Sequence, residues 1–288
     1  MNTKWHSTLL HLRFPFSFFL LPIFFSALYA VQPVNNRILP VIIIFHLLLY
    51  PASNGFNSYF DKDTGPIGGL AVPPPVFLSL LYASLFLDLL AIVWAYLITP
   101  AFALMAFIYG AGSKLYSWDR VRIKKMPIVG WLWTGLGQGT FTFLAMAAVL
   151  GGRGFFSLDT ATYAASILVT LFLLGVYPLT QVYQHEEDAS RGDMTISRLA
   201  GIRGTFVLSS IFLALAMAGF LFWIFSVSGR VWAIVFLVLQ LPSLVFFLRW
   251  TTQVFKDRKY ANHRNAMGMN AVASSLVSMF FIVTLLFR

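Results

Sequence analysis

The sequence predicts an all-α membrane protein of nine transmembrane helices, folded as one domain over residues 1–288. Three observations predict it. The chain is 59% hydrophobic and only 10% charged, whereas a soluble domain carries about 25% charged residues. Apolar runs of the length that spans a bilayer, roughly 20 residues, recur nine times. The basic residues fall almost entirely into alternate connecting segments, as the positive-inside rule requires of a membrane protein.

The nine runs cover residues 14–31, 38–56, 76–98, 101–116, 128–151, 161–183, 205–227, 231–250 and 270–287. The first has the length of a signal peptide, but no small-residue cleavage site follows it, so it reads as a retained helix. Thr99-Pro100 makes a tight turn between the third and fourth runs. Pro73-Pro74-Pro75, Pro127, Gly151-Gly152 and Ser228-Gly229 mark most other junctions. The absence of Cys rules out disulfides and thiolate metal sites. A net charge of +10 in a soluble chain would suggest nucleic acid. In so apolar a chain the basic residues report topology, and no nucleic-acid partner is expected.

Nine crossings put the termini on opposite sides. Sixteen of the 20 basic residues then share one side with the N-terminus, and only Arg37, Arg153, Arg230 and Arg288 lie on the other. This places the N-terminus and the loops after helices 2, 4, 6 and 8 in the cytoplasm, with the C-terminus opposite.

The acids are more informative than the bases. Eight of the ten lie on the same side, and six of those eight fall in two stretches: NSYFDKD after helix 2 and QHEEDASRGD after helix 6. Tyr50, Asn54, Asn57 and Asp61 follow helical spacing along one face. Tyr177, Gln181, Gln184 and Asp188 repeat that spacing at the end of helix 6. Two matching half-sites of oxygen ligands suit Mg²⁺, which binds through one or two carboxylates plus substrate phosphates. A lipid diphosphate would place its head between them and its chain in the bundle. Neutralising the diphosphate makes it a better leaving group. The allylic cation left behind needs aromatic faces, and the chain has 30 Phe, 11 Tyr and 8 Trp.

On these residues the chain resembles the UbiA superfamily of intramembrane prenyltransferases over nearly its whole length. The first family motif, roughly N-D-x-x-D-x-x-x-D, is matched by Asn57 and Asp61. Ser58 and Gly65 stand where two of its acids would be, and Asp63 lies close enough to substitute. The second, roughly D-x-x-x-D, is matched by Asp188, with Gln184 in place of the first acid and Gly192 and Thr195 in register. The loop LYSWDRVRIKKMPIVG is similar to the family segment in which a Tyr-Ser pair precedes diphosphate-binding bases.

The resemblance implies nine helices around a central cavity. It implies transfer of an isoprenyl group from an isoprenyl diphosphate to a lipophilic, preferentially aromatic acceptor, with Mg²⁺ assisting departure of the diphosphate. Quinone-ring precursors, haem, chlorophyll-type tetrapyrroles and lipid alcohols are all open as acceptors. The implied metal ligands are Asn57, Asp61, Gln184 and Asp188, with Asp63, Glu187 and Asp193 as auxiliary acids. Arg120, Arg122, Lys124 and Arg191 would bind the diphosphate, and the Tyr116 hydroxyl would meet its bridging oxygen. Asp61, Asp188 and Tyr116 are the expected catalytic residues.

Other readings stand beside these. Asn57 and Asp61 could cap a helix, the bases could anchor lipid phosphates, and Glu186 could belong to a solvated acidic face. Asp88, in mid-helix, reads as a hydrogen-bonded bundle contact, and His46 as a satisfied interior histidine. At the level of the whole chain the alternatives are a non-catalytic lipid- or quinone-binding relative and a small-lipophile transporter. The polar sets at helix ends, away from the midplane, argue against transport.

Overall fold

The structure, a computed structural model, describes residues 3–287. It is helical throughout, and no strand forms among the described residues. The helical runs are α1 (Thr3–Ala30), α2 (Asn35–Asp61), α3 (Leu78–Ile98), α4 (Pro100–Ser117), α5 (127–150), α6 (Thr160–Thr180), α7 (Ile196–Ser228), α8 (Arg230–Lys256) and α9 (His263–Phe287). A short helix, His185–Ser190, sits between α6 and α7. Among the described residues, seven runs are long and apolar enough to cross a membrane; α4 and α5 are not among those seven.

Proline and glycine shape the runs. α1 breaks at Arg13, whose backbone is left-handed (φ 50°), and continues through a 3₁₀ stretch, Phe14–Leu20, that contains Pro15. The expected first helix began at Phe14; the structure adds Thr3–Leu12 ahead of it. That segment grips the triple-proline loop, because His11 Nε2 donates to the Pro74 carbonyl at 2.7 Å and Ser7 Oγ donates to that of Pro75. α2 carries a π-helical stretch, Ile44–Leu49, just before Pro51, whose missing N–H breaks the regular ladder. α5 carries another at Leu136–Phe141, where Gly137 and Gly139 weaken the helix. α6 ends in a 3₁₀ turn, Tyr177–Thr180, around Pro178. α7 begins at Ile196, nine residues before the apolar run suggested, and is interrupted at Gly201 (φ 71°).

The main core takes buried residues from all nine runs and is densest on α5. Every residue of Thr142–Leu150 is buried, and its Ala145, Ala147 and Ala148 let neighbouring backbones approach closely, the usual basis of helix packing in lipid. Phe24, Phe45, Phe102, Phe280 and Phe281 belong to the same buried cluster. α3 and α8, by contrast, turn large apolar residues such as Leu97 and Val231 outward. This arrangement leaves a cavity open toward the loops that follow α2, α4 and α6.

Candidate active site

The cavity has a volume of about 660 Å³. Tyr50, Asn54, Asn57 and Asp61 line it from α2, and Tyr177, Gln181, Gln184 and Asp188 line it from the opposite side. The second set does not lie on one continuous helix, as its spacing suggested. Pro178 tightens the end of α6, residues 181–184 form a turn, and Asp188 stands on the short helix. All four residues nevertheless line the same cavity as the first set. Deeper in, Phe16, Phe19, Leu20, Phe141, Phe172 and Leu173 make the walls apolar.

Ion pairs knit the mouth together. Arg122 donates to both oxygens of Asp193 at 2.8 Å, to Asp119 at 2.7 Å and to Asp61 at 3.3 Å. The Lys124 ammonium is in close contact with the Asp61 carboxylate. Arg191 pairs closely with Asp63 and reaches Glu187 at 3.1 Å. Among the described residues Asp188 forms no salt bridge; its Oδ2 accepts from the Thr195 hydroxyl at 3.3 Å. Asn57 Oδ1 accepts from Ser117 Oγ at 2.8 Å, and the Gln184 amide donates to the Pro66 carbonyl at 3.3 Å.

Of the residues the sequence proposed, Asn57, Asp61, Asp63, Tyr116, Lys124, Gln184 and Asp188 share this cavity. Others are placed elsewhere. Arg120 is exposed and lies over the Trp118 ring, 5.5 Å from its centroid. Glu187 does not line the cavity; its carboxylate accepts from the backbone N–H of Thr64 at 2.7 Å and of Gly65 at 3.2 Å, and so fastens the loop after α2 to the short helix. Asp193 is only 1% exposed and is engaged by Arg122. Arg122 and Arg191 stand just outside the cavity, holding its acids. The expected ligand set is therefore not gathered at one point: among the described residues no three acidic or histidine side chains converge on a metal-sized site. Tyr116 lines the cavity with its hydroxyl against that of Tyr177.

Sequence reasoning missed Arg13, taken only as a topology charge. The structure buries it in the cavity wall, where its guanidinium donates to the Asn54 carbonyl at 3.1 Å and that of Gly68 at 3.3 Å. Arg13, Lys62 and Arg122 are the non-glycine residues with left-handed backbone among those described, and all three surround the mouth. Such conformations cost free energy and gather at functional sites. A basic residue directly before Phe14-Pro15, where a helix must break, was the available signal.

The electrostatics separate the acids. Burial, reinforced by the charges of Asp193, Asp61 and Asp63 and opposed by Lys124, pushes the Asp188 carboxyl up to about 7. Burial and the neighbouring Asp61 raise Asp63 against the pull of Arg191 and Lys124. At Asp193, burial is outweighed by the Arg122 hydrogen bond and the Lys124, Arg122 and Arg191 charges, and the carboxyl sits below its ordinary value. At Arg122, burial is likewise outweighed by Asp193, Asp61 and Asp119, which hold the guanidinium above its own ordinary value.

Asp88, His46 and His185 lie away from the cavity, and each has a local partner. Asp88 forms an ion pair with Lys114. His46 Nδ1 donates to the Ser17 carbonyl at 3.1 Å, and His185 Nε2 bonds Ser197 Oγ at 2.7 Å. With no histidine or thiolate facing it, the cavity offers oxygen donors, the set a hard divalent cation prefers.

A model of the UbiA prenyltransferase family matches residues 19–282. The chain belongs to that family. It is an integral membrane protein. Solved structures of UbiA homologues share the fold. The Archaeoglobus fulgidus homologue bound to GPP and Mg²⁺ is 16% identical, with a TM-score of 0.70 over 96% of this chain and 98% of that one. The same homologue bound to DMAPP and Mg²⁺ is 18% identical, with a TM-score of 0.68 over 96% and 98%. The apo homologue from Aeropyrum pernix K1 is 16% identical, with a TM-score of 0.70 over 93% and 98%. At such identities the likeness is one of fold. No curated protein sequence matches the chain.

Proposed function

We propose that this UbiA family member transfers an isoprenyl group from an isoprenyl diphosphate to a lipophilic acceptor. One observation carries the reading: two quartets of polar residues, 127 positions apart in each matched pair (177 − 50 = 127, 188 − 61 = 127), line the mouth of one apolar cavity. A diphosphate head fits the mouth and an isoprenoid tail fits the walls. The GPP- and DMAPP-bound homologues of the same fold support the donor class, and their Mg²⁺ supports the cation.

Acids among Asp61, Asp63 and Asp188, with the amides of Asn57 and Gln184 in the same cavity wall, would hold Mg²⁺, which would supply the charge neutralisation that makes a diphosphate a better leaving group. The protein's own groups do the rest. Lys124 and Arg13, both in the cavity wall, present N–H donors to phosphate oxygens. Tyr116, positioned by Tyr177, offers a hydroxyl for the leaving oxygen. The rings of Tyr50, Tyr109 and Phe141 line the cavity and supply faces that stabilise an allylic cation. The dry walls beside them keep water from capturing it. An acceptor entering from the bilayer attacks C1 of the tail, and a carboxylate at the mouth takes the released proton. The positive-inside distribution supports a cytoplasmic mouth and N-terminus.

The test is a thermal-shift panel of prenyl diphosphates on the purified protein, with Mg²⁺ and with chelator. Stabilisation by the diphosphate that depends on Mg²⁺ is expected. Equal stabilisation in chelator refutes the metal-assisted site, and none in either condition refutes the donor class.

A further inference from the structure

We infer that the two half-sites are unequal: a single divalent cation binds, at the Asp188 half-site, and Lys124 occupies the place of a second cation at the Asp61 half-site. The inference rests on the prenyl diphosphate reading of this cavity.

The carboxylates can be counted by what already holds them. Asp193 is buried, bidentate with Arg122, and absent from the cavity lining. Glu187 is committed to the Thr64 and Gly65 backbone and to Arg191. Asp119 is largely exposed and held by Arg122. Three acids remain in the cavity: Asp61, Asp63 and Asp188.

Two of these three are already neutralised by the protein. Asp61 is held by Lys124 and Arg122, and Asp63 by Arg191. To bind a metal there, a buried lysine and an arginine would both have to be displaced from an acid that is itself only 5% exposed. Breaking a buried pair leaves an uncompensated charge, which is costly. Among the described residues the side chain of Asp188 is held only by a hydroxyl, so a dication meets a carboxylate with no salt bridge to break. The side chains Gln181 and Gln184 stand beside it in the wall, and Mg²⁺ needs no more than one or two carboxylates when phosphates and waters complete its shell.

Lys124 has the chemistry to replace an ion on the other side. It is a compact positive charge with three donors, and one hydrogen bond to Asp61 leaves others for a phosphate. Lys124 lines the same cavity, and its ammonium is 3.7 Å from Asp193 Oδ2. The acid therefore fixes the ammonium where the diphosphate arrives. Ser58 fits the same scheme: a hydroxyl where the resembled first motif has an acid lowers the charge available for an ion at the Asp61 half-site.

Electron paramagnetic resonance of Mn²⁺ bound to the detergent-solubilised full chain, with geranyl S-thiolodiphosphate as an unreactive diphosphate, tests this without turnover. One Mn²⁺ per chain is expected, with no Mn–Mn coupling. Asp188→Asn should weaken that binding at least tenfold, while Asp61→Asn should keep the ion. Two coupled ions in the unmodified protein overturn the inference and leave the donor reading intact. So does loss of the single ion in Asp61→Asn. No bound ion in the unmodified protein overturns both this inference and Mg²⁺-dependent diphosphate binding. The count on the unmodified protein decides even if a variant misfolds.

Discussion

Two buried aspartates in this protein are each held by a lysine, and the two pairs face different surroundings. Asp88 on α3 meets Lys114 on α4, with side-chain exposures of 11% and 15%. Asp61 meets Lys124, with exposures of 5% and 9%. Burial and pairing are nearly the same. The surroundings are not. Asp88 and Lys114 are absent from the cavity lining; the lysine lies over the Phe56 ring at 5.3 Å, and Gly110 leaves room for the carboxylate. Asp61 and Lys124 line the cavity and share a network with Arg122 and Asp193. Lys114 does not line the cavity, whereas Lys124 does. An ionisable residue inside a membrane protein defaults to a functional candidate, but the space it faces is what assigns the role.

The comparison can be broken most severely at the mouth. Asp61→Ala and Asp188→Ala should each lower prenyl transfer by about a hundredfold or more, the scale of losing a dominant electrostatic group, with the protein still folded. Activity near that of the unmodified protein in either variant would remove that residue from the chemistry.

At the other pair the loss should be of stability instead. Lys114→Met leaves Asp88 buried and unpaired, which costs about 3–5 kcal/mol. Asp88→Leu with Lys114→Met should recover most of that, and turnover per folded molecule should not change. Denaturation midpoints in detergent, read beside activity, distinguish this from a catalytic role. A double variant that is stable but inactive would place Asp88 in the mechanism.

A smaller effect sharpens the difference through pH. Asp188 is raised to about 7 from an ordinary 3.8, so the folded state holds its proton more tightly than the unfolded state. In metal-free protein this contribution is fully present below about 3.8 and is lost as pH rises through about 7. Metal binding has the opposite sense, because the ligand must lose its proton. Thermal scans from pH 5.5 to 8.5 should therefore show metal-induced stabilisation growing through pH 7, and Asp188→Asn should flatten the trend.

The smallest effect belongs to Arg120. It is exposed over Trp118 and outside the cavity. Arg120→Ala should change stability by no more than about 0.5 kcal/mol and leave turnover within about twofold. A large loss of diphosphate affinity would show that the arginine swings inward on binding.

Much of the site is legible in the sequence. The acids at two equivalent helix ends, the repeated Tyr-x₃-polar-x₂-polar-x₃-Asp spacing and the apolar runs all follow from local chemistry, and all eight residues of the two quartets reach the cavity. What stays hidden has a common cause. Glu187 and Asp193 stand in the same acidic stretch as Asp188, yet one is captured by backbone amides 123 positions away in sequence and the other by Arg122. A one-dimensional pattern shows an acid but not its partner. Arg13 is hidden for the same reason, since a charge next to an apolar run looks the same whether it faces water or a cavity.

Composition and spacing decide the solvent, the helical class and the pairing of two polar sets, because lipid forces backbone hydrogen bonds to close within each helix and helical geometry orders side chains a few positions apart. Tertiary structure decides which acids stay free, which bases neutralise them and which buried ion pair faces a cavity. Those outcomes depend on contacts between residues far apart in the chain. Arg191 meets Asp63 across 128 positions, and Lys124 meets Asp61 only because the loop after α4 folds over the end of α2.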